Sequence, residues 1–506
     1  MNNELEMKFV VSGQGHQAFK KTVLPNLKSL LQITGDIQVD YQQKQLTNDY
    51  FDTSDFYFTQ QRFGFRVRGC NNRFEQTLKT HGTTTAGLHQ RGEYNLDIPD
   101  STPDLRLFDS VIWPDNRCVE DLNKDLQKRF STNFTRDEYT ITYANQQVEI
   151  VFDSGSVTAG SEMSPIHELE IELKTGDIVS VFALARLLNQ HLSLRLSDTT
   201  KAAAGYSLIG ESLLQKRALP KYLELNENCS TEEAFCLAVQ KALSHWQFHE
   251  QAYMQTRTLK YLDLMYEGLQ LLLQSVALYL PMLQCSSMLE LHRRLISYSQ
   301  KWHWLNELHN IRYLRSKKGP FSKYLNQHDA LMSYLQGRKM GLLQGRSPEQ
   351  LFFDQDANEI KILTAEILLL RPWRNQVVSA EKPVLEHARG WLSQSWQVVL
   401  QSLSQAETLS HSHYIATEAI LRQALTNGFL LAELFAEKRG QFRAPWLDIL
   451  VGVEELKALT ALKQLLNDAE FSENLELKNW TADKISNLLQ VIERTRKLAI
   501  RLEAYW

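Results

Sequence analysis

Acidic residues and a lysine alternate with apolar residues in Glu4-Leu5-Glu6-Met7-Lys8, and the pattern returns as Glu168-Leu169-Glu170-Ile171-Glu172-Leu173-Lys174. Side chains at i, i+2 and i+4 of a β-strand share a face. Glu4, Glu6 and Lys8 therefore point one way, and Leu5, Met7 and Phe9 the other. Other charges sort by strand in the same manner. Asp153 shares a face with Glu149, Arg66 and Arg68 lie opposite Phe65 and Val67, Lys79 ends "EQTLK", Arg91 alternates with Glu93, and Arg136 begins "RDEYTITYA". On a sheet facing water such residues carry no special meaning. If the sheet closes into a barrel, one face becomes an interior and alternate residues of every strand line it. Unpaired charges are prohibitive there, so that interior must hold water, ions or a highly charged ligand. Arginine and lysine suit a phosphate chain, whereas carboxylates suit Mg²⁺ or Mn²⁺. Acids and bases in one cavity fit a metal–polyphosphate complex.

The elements that must position these residues follow from period. Up to about Gly210 the pattern is mostly period two, in runs such as "RFGFRVRG", "NRFEQTLKT", "RGEYNLDI", "DEYTITYA" and "QQVEIVFDSG". Turn chemistry at "GCNN", "ANQQ" and "DSGS" separates them. Two stretches interrupt with helical character, "HQAFKKTVLPNLKSLL" and "DIVSVFALARLLNQHL". From Ser230 to Trp506 the sequence reads as successive amphipathic helices. Trp446, Ile449, Leu450 and Val453, for example, fall on one helical face. The expected fold class is α+β: an N-terminal antiparallel β-barrel with flanking helices, then an all-α bundle. Residues 1–212 form the first domain and 225–506 the second, with the boundary within 211–228. Two successive bundles divided near Gly345 to Asn375 also satisfy the second domain.

At 506 residues the chain is too long for one ordinary core. A formal net charge of −4 gives no global attraction to nucleic acid or an anionic membrane, so anion binding must come from local clusters. Five scattered cysteines (Cys70, Cys118, Cys229, Cys236, Cys285) lack the spacing of a zinc site or disulfide framework, which points to a reducing cytoplasm. The N-terminus has early acids and no apolar core, unlike a signal peptide. The longest apolar stretch, Gly268 to Leu283, contains Gln270, Gln274 and Pro281 and reads as a buried bundle helix. His245 and His249 are spaced i, i+4 with no third ligand nearby, and packing is the expected role. The ten tryptophans read as packing anchors.

An ordered series of motifs carries a family resemblance. "ELEMK" at 4–8 resembles the ExExK motif of the CYTH, or triphosphate tunnel metalloenzyme, family. "DYFDT", "GFRVR", "EQTLK", "LHQRGEYN", "FTRDEY", "FDSG", "ELEIELK" and "TKAAAGY" follow in order through residue 206. The helical remainder is similar to a CHAD domain, a module found fused to CYTH and associated with phosphate-rich partners. Its basic clusters are His292, Arg293 and Arg294, and Arg312 and Arg315. The combination resembles the bacterial CYTH–CHAD inorganic triphosphatases.

The resemblance implies a phosphoanhydride hydrolase that converts inorganic triphosphate to diphosphate and phosphate with Mg²⁺ or Mn²⁺. Lys8, Arg66, Arg68, Lys79, Arg91, Arg136 and Lys201 would hold the triphosphate. Glu4, Glu6, Asp153, Glu168, Glu170 and Glu172 would position one or two metals and the attacking water. Lys8 would act as an electrostatic clamp, with Glu168 or Glu170 orienting the water. An arginine is frequent in the family where this chain has Ala204. Alternatives are a related CYTH activity on thiamine triphosphate or ATP, adenylate cyclisation, or polyphosphate binding without turnover. The expected partner is inorganic triphosphate, with polyphosphate through the helical half, and neither nucleic acid nor membrane.

Overall fold

In the computed structural model the chain divides into two compact units. The first is Met1–Arg217 with Gln247–Arg257 and Phe352–Leu370; the second is Ala218–Trp246 with Thr258–Leu351 and Arg371–Trp506. The structure describes residues 2–506 except 110–111, 114–116, 211–217, 376–377, 436–437 and 468–473. The start of the expected boundary, 211–217, thus lies outside the described residues. Two segments from beyond that boundary belong to the first unit.

The first unit is built on β1 (Asn2–Val11), β2 (Ile37–Asp52), β3 (Gly64–Cys70), β4 (Arg73–Lys79), β5 (Thr83–Thr85), β6 (Leu88–Ile98), β7 (Gln127–Tyr143), β8 (Gln146–Ala159), β9 (Glu162–Thr175) and β10 (Leu194–Leu196). Antiparallel pairing runs β1–β9–β8–β7–β2–β3–β4–β6 and returns from β6 to β1, which closes the ring. Closure gives every ring strand two neighbours, although Ile37–Leu46 of β2 pairs with β7 alone. β5 adds to β6, and β10 adds to the far end of β1.

The alternation read from the sequence decides which face is which. Met7, Phe9, Val148, Ile150, Phe152, Leu169 and Ile171 are buried on the outside of the ring. The helix Val179–His191 covers them with Val181, Phe182, Leu184, Ala185 and Leu188. Phe19 adds edge and tilted ring contacts with Tyr139 and Phe152. Each such side chain contributes about 1.5–3 kcal/mol on burial. The apolar layer therefore lies between sheet and helices, and the charged residues turn inward. A sheet with its charged face in water is overturned.

The helical character of "HQAFKKTVLPNLKSLL" is present as Gly15–Ala18, a π turn Phe19–Val23, a 3₁₀ turn Leu24–Asn26 and Leu27–Leu30, while two other local expectations change. Pro25 lacks the N–H that a continuous helix needs. "DSGS" is not a turn, because β8 runs straight through it, with Gly155 opposite Phe134. A Cβ at Gly155 would lie 2.1 Å from the Asn133 carbonyl oxygen, so glycine serves close approach here rather than chain reversal. β2, sixteen residues long, had no counterpart among the predicted runs. The turns at "GCNN" and "ANQQ" do form, with Asn71, Asn72 and Ala144 at positive φ.

One end of the ring is filled. Leu46, Tyr50, Phe130, Phe134, Val157 and Ile166 share the inner-face parity of their strands and form an apolar cluster with Tyr206. Tyr206 belongs to the helix Lys201–Leu208, whose Thr200 cap accepts from the Ala203 N–H at 3.1 Å. The Tyr206 hydroxyl donates to buried Asp52 at 2.8 Å.

The second unit is helical. Trp396, Phe442, Trp446, Ile449, Leu450, Val453, Leu459 and Ile492 belong to one continuous core. The apolar stretch at 268–283 ends the helix Lys260–Tyr279, which buries Met265, Leu269, Leu272 and Val276. Among the described residues no helix is long and apolar enough to cross a membrane. His245 and His249 are buried in the helix Thr231–Thr256, His245 with its Nε2 3.2 Å from Glu267.

A Cβ at Gly205 would fall 2.1 Å from the Phe130 ring. Gly205→Ala, which in an open helix interior stabilises by about 1 kcal/mol, is expected here to destabilise by about 1–3 kcal/mol. Calorimetric melting should give a lowered midpoint; a raised one contradicts the packing of this helix inside the ring.

Candidate active site

Strand register places the charges in neighbouring positions around the inner wall. Lys8 of β1 lies opposite Glu170 of β9, Glu6 opposite Glu172, and Val10 opposite Glu168. On β8, Asp153 pairs with Glu168 on one side and Arg136 of β7 on the other. Across the β1–β6 seam Glu4 lies opposite Arg91 and Glu6 opposite His89, and Lys79 of β4 lies opposite Glu93.

The most buried part centres on Glu170. The Lys8 ammonium donates to it, the Arg136 guanidinium reaches it at 2.9 Å, and Lys201 Nζ reaches it at 3.0 Å. Arg136 also holds Asp153 through two bonds of 2.8 and 2.7 Å. This bidentate geometry is favoured between guanidinium and carboxylate. Lys201, at the first turn of its helix, bonds Glu168 at 2.5 Å and lies 2.8 Å from Asp153. Asp153, Glu168 and Glu170 each offer an oxygen within 4.8 Å of the others. Their all-oxygen donor set fits a hard divalent cation.

Other expected residues lie along the same wall in smaller groups. Glu4 accepts from Lys79 at 2.6 and 2.7 Å, with Arg91 3.7 Å away. Glu6 lies 3.4 Å from Arg91 and 3.7 Å from Lys8. Arg66 is 3.8 Å from Glu93. Arg68 donates Nε to Asn48 at 2.9 Å and forms no ion pair among the described residues. Glu172 pairs with Lys174 at 2.8 Å. The six carboxylates proposed for metal thus divide: three converge, while Glu4, Glu6 and Glu172 each stand with a cation.

Burial and neighbours set the protonation of this wall. Burial opposes charge on Glu170 and Asp153, yet Lys201, Lys8 and Arg136 hold the Glu170 carboxyl, and Arg136 and Lys201 that of Asp153, below the usual range. Burial likewise disfavours the Lys8 ammonium, but Glu170 and Glu6 outweigh it and push Lys8 up to about 12. Glu172 goes the other way: burial, with Glu149 and Glu4 nearby, raises it to about 7 despite Lys174. Arg68, buried beside Arg66 and Arg136, is lowered to about 10. The Nε groups of Arg66 and Arg91 are buried without an acceptor. Two guanidinium groups on this wall thus keep a donor unused, and Arg68 is the one crowded by like charge.

Exposure grades along the wall. The Lys8 and Lys201 side chains are 6% exposed, against 34% for Lys174 and 35% for Lys44, which bonds Glu138. The helix Lys201–Leu208 and its apolar cluster lie at the more buried end, and the wall grows more exposed toward Lys174 and Lys44.

Sequence reasoning gave no role to Asn48, His89 or Lys44, and none as ion-pair partners to Glu93 and Lys174. Glu93 follows Arg91 by two residues, and that period was the available signal. Asn48 and Lys44 belong to β2, whose short apolar alternation at Ile37, Val39 and Tyr41 stops before them. His89, buried opposite Glu6, is kept neutral by that burial and lowered to about 3. Ala204 packs against the apolar cluster of the closed end.

Residues 2–206 match the family model of the CYTH domain, so the chain carries a CYTH domain at its N-terminus. Among curated relatives, an inorganic triphosphatase of Haemophilus influenzae is 31% identical over 176 residues, which cover 35% of this chain and 49% of that protein. The chain thus spans about half the length of this relative. A Hippeastrum structure, described as that of a proposed adenylyl cyclase with a dominant triphosphatase activity, is 18% identical and covers 40% of this chain and 95% of its own, with a TM-score of 0.28. A CHAD domain structure from the plant Ricinus communis is 14% identical and covers 57% of this chain and 99% of its own, with a TM-score of 0.39.

Removing Lys201 leaves Asp153, Glu168 and Glu170 with fewer cations. Lys201→Met is expected to cost about 3–5 kcal/mol at neutral pH. The depressed carboxyls contribute stability above their ordinary range and lose it as pH falls through their folded values. The gap in melting midpoint between variant and wild type should therefore narrow below about pH 4. A gap independent of pH counts against this ion cluster.

Proposed function

We propose that the ring hydrolyses inorganic triphosphate to diphosphate and phosphate with Mg²⁺ or Mn²⁺. The observation that carries this reading is the pair of buried Nε groups of Arg66 and Arg91 without an acceptor, with Arg68 in no ion pair among the described residues, on a wall that also gathers Asp153, Glu168 and Glu170. A site for anions alone has no use for three converging carboxylates. The likeness to the Haemophilus influenzae inorganic triphosphatase supports the same substrate.

In this proposal Arg66, Arg68, Lys79 and Arg91 take the outer phosphates, while Arg136, Lys201 and Lys8 surround the phosphoryl group that is transferred. Phosphoryl transfer demands alignment and charge neutralisation rather than covalent chemistry from the protein. Lys8, protonated throughout the neutral range, stabilises charge developing on the transferred group. Glu168 and Glu170 orient the attacking water, and the apolar closed end keeps bulk water from the buried side. Asp153, Glu168 and Glu170 are the ligands assigned to a divalent cation, with Glu4, Glu6 and Glu172 available nearer the open end. When bound, the cation would supply Lewis-acid neutralisation of phosphate oxygens.

The same proposal gives the helical unit a polyphosphate-binding role. Burial lowers Lys339, and Arg315 and Arg312 lower it further, so three cations crowd one part of that unit. All five cysteines are unpaired thiols, which fits a reducing cytoplasm.

Phosphate release from triphosphate, ATP and thiamine triphosphate is the direct test. Triphosphate should be turned over fastest, and EDTA should stop the reaction. Lys8→Ala and Glu170→Gln should each lower kcat on the order of 100-fold or more. Near wild-type turnover in either variant rejects the assignment, and tight binding with no turnover in Mg²⁺ favours a binder.

A further inference from the structure

β10 pairs with β1 on one side only, yet its other edge is not left open. Asn358, from the distant segment Phe352–Leu370, is fully buried beside it. Its Oδ1 accepts the Leu196 N–H at 2.8 Å, and its Nδ2 donates to the Leu194 carbonyl at 2.6 Å. One side-chain amide thus replaces a missing strand. Between these residues Arg195 reaches Gln251 at 2.7 Å and Glu250 at 3.4 Å, and Glu250 in turn accepts from Lys361 at 2.7 and 2.9 Å. Arg195, Glu250 and Lys361 are all buried within the first unit.

This buried network ends beside Lys8. The Lys8 backbone is held from two sides: its N–H donates to the Gly87 carbonyl at 3.0 Å, and its carbonyl accepts the Ser197 N–H at 3.0 Å. Asp198 joins the two sides, because its Oδ1 accepts the Gly87 N–H at 2.6 Å. The same oxygen accepts from Gln247 Nε2 at 3.2 Å. Gly87 sits at φ +72°, where a Cβ would lie 2.4 Å from Leu196 and 3.1 Å from the Lys8 carbonyl oxygen, so the turn can seat only as it does. Asp198 also precedes Thr200 and Lys201, the cap and first residue of the helix that brings the second buried ammonium to the carboxylates.

We propose that Asp198, braced by Gln247, is a positioning residue that sets Lys8 and Lys201 against Glu170, and that Gln247–Arg257 and Phe352–Leu370 are working parts of the ring. Asp198 touches neither the substrate nor the ions. It acts through the two lysines, and its effect on turnover rests on the triphosphatase reading.

The test uses the full chain with Asp198→Ala, Asp198→Asn and Gln247→Leu. Asparagine keeps an oxygen to accept the Gly87 N–H; alanine does not. Asp198→Ala should lower kcat for triphosphate by on the order of 10- to 100-fold and speed amide hydrogen exchange at Lys8 and Gly87. Asp198→Asn should restore both, and Gln247→Leu should move both in the same direction by less. An Asp198→Ala protein with wild-type kcat and wild-type exchange at Lys8 overturns the proposal. So does one whose exchange rises uniformly across the unit without loss of kcat, the mark of a purely structural residue. If Asp198→Ala does not fold, unchanged kcat and exchange in Gln247→Leu overturn it equally. If the wild-type chain does not turn over triphosphate, the functional reading fails, while exchange at Lys8 still decides whether Asp198 positions it.

Discussion

Taking an ammonium or a carboxylate out of water costs several kcal/mol per ion, and the charges of this wall are tolerated only because they face one another. The ring makes that possible. Antiparallel register sets Lys8 beside Glu170, Asp153 beside Arg136 and Glu4 beside Arg91, so these buried charges meet opposite charges on adjacent strands, while Lys201 answers the like pair Asp153 and Glu168 from its helix. A slip of one residue in any strand would turn its charges toward the helices and its apolar residues inward. Register, more than any single contact, is what the rest of the structure depends on. The apolar layer outside the ring enforces it, since Met7, Phe9, Leu169 and Ile171 can be buried only in this alignment.

The balance within the wall is uneven, and the unevenness is informative. Glu170 has three cations around it, whereas Arg68 has only an amide oxygen. A protein selected for stability alone would have no reason to leave the Nε groups of Arg66 and Arg91 without an acceptor and Arg68 beside two other arginines. A ligand that brings its own negative charge would correct the imbalance, and its binding would stabilise the fold.

Much of this was legible in the residues. Alternation in "ELEMK" and "ELEIELK" revealed both the strands and their charged faces, because one face had to be buried and the other carried only acids and a lysine. β2 escaped notice since its alternation at Ile37, Val39 and Tyr41 is brief and gives way to the polar "QQKQ", and pairing with β7 and β3 carries the strand on from there. "DSGS" misled for the opposite reason: serine and glycine there serve the close approach of Phe134, not a reversal. The roles of Asn358, Gln247 and Asp198 could not be read at all. Each depends on a partner more than forty residues away, and sequence spacing carries no trace of that.

The apolar cluster around Tyr206 bears on the substrate proposed above. Under that reading a phosphate chain entering away from the cluster would meet Lys8 and Lys201 tip first. The leaving fragment would then withdraw along the path by which it came.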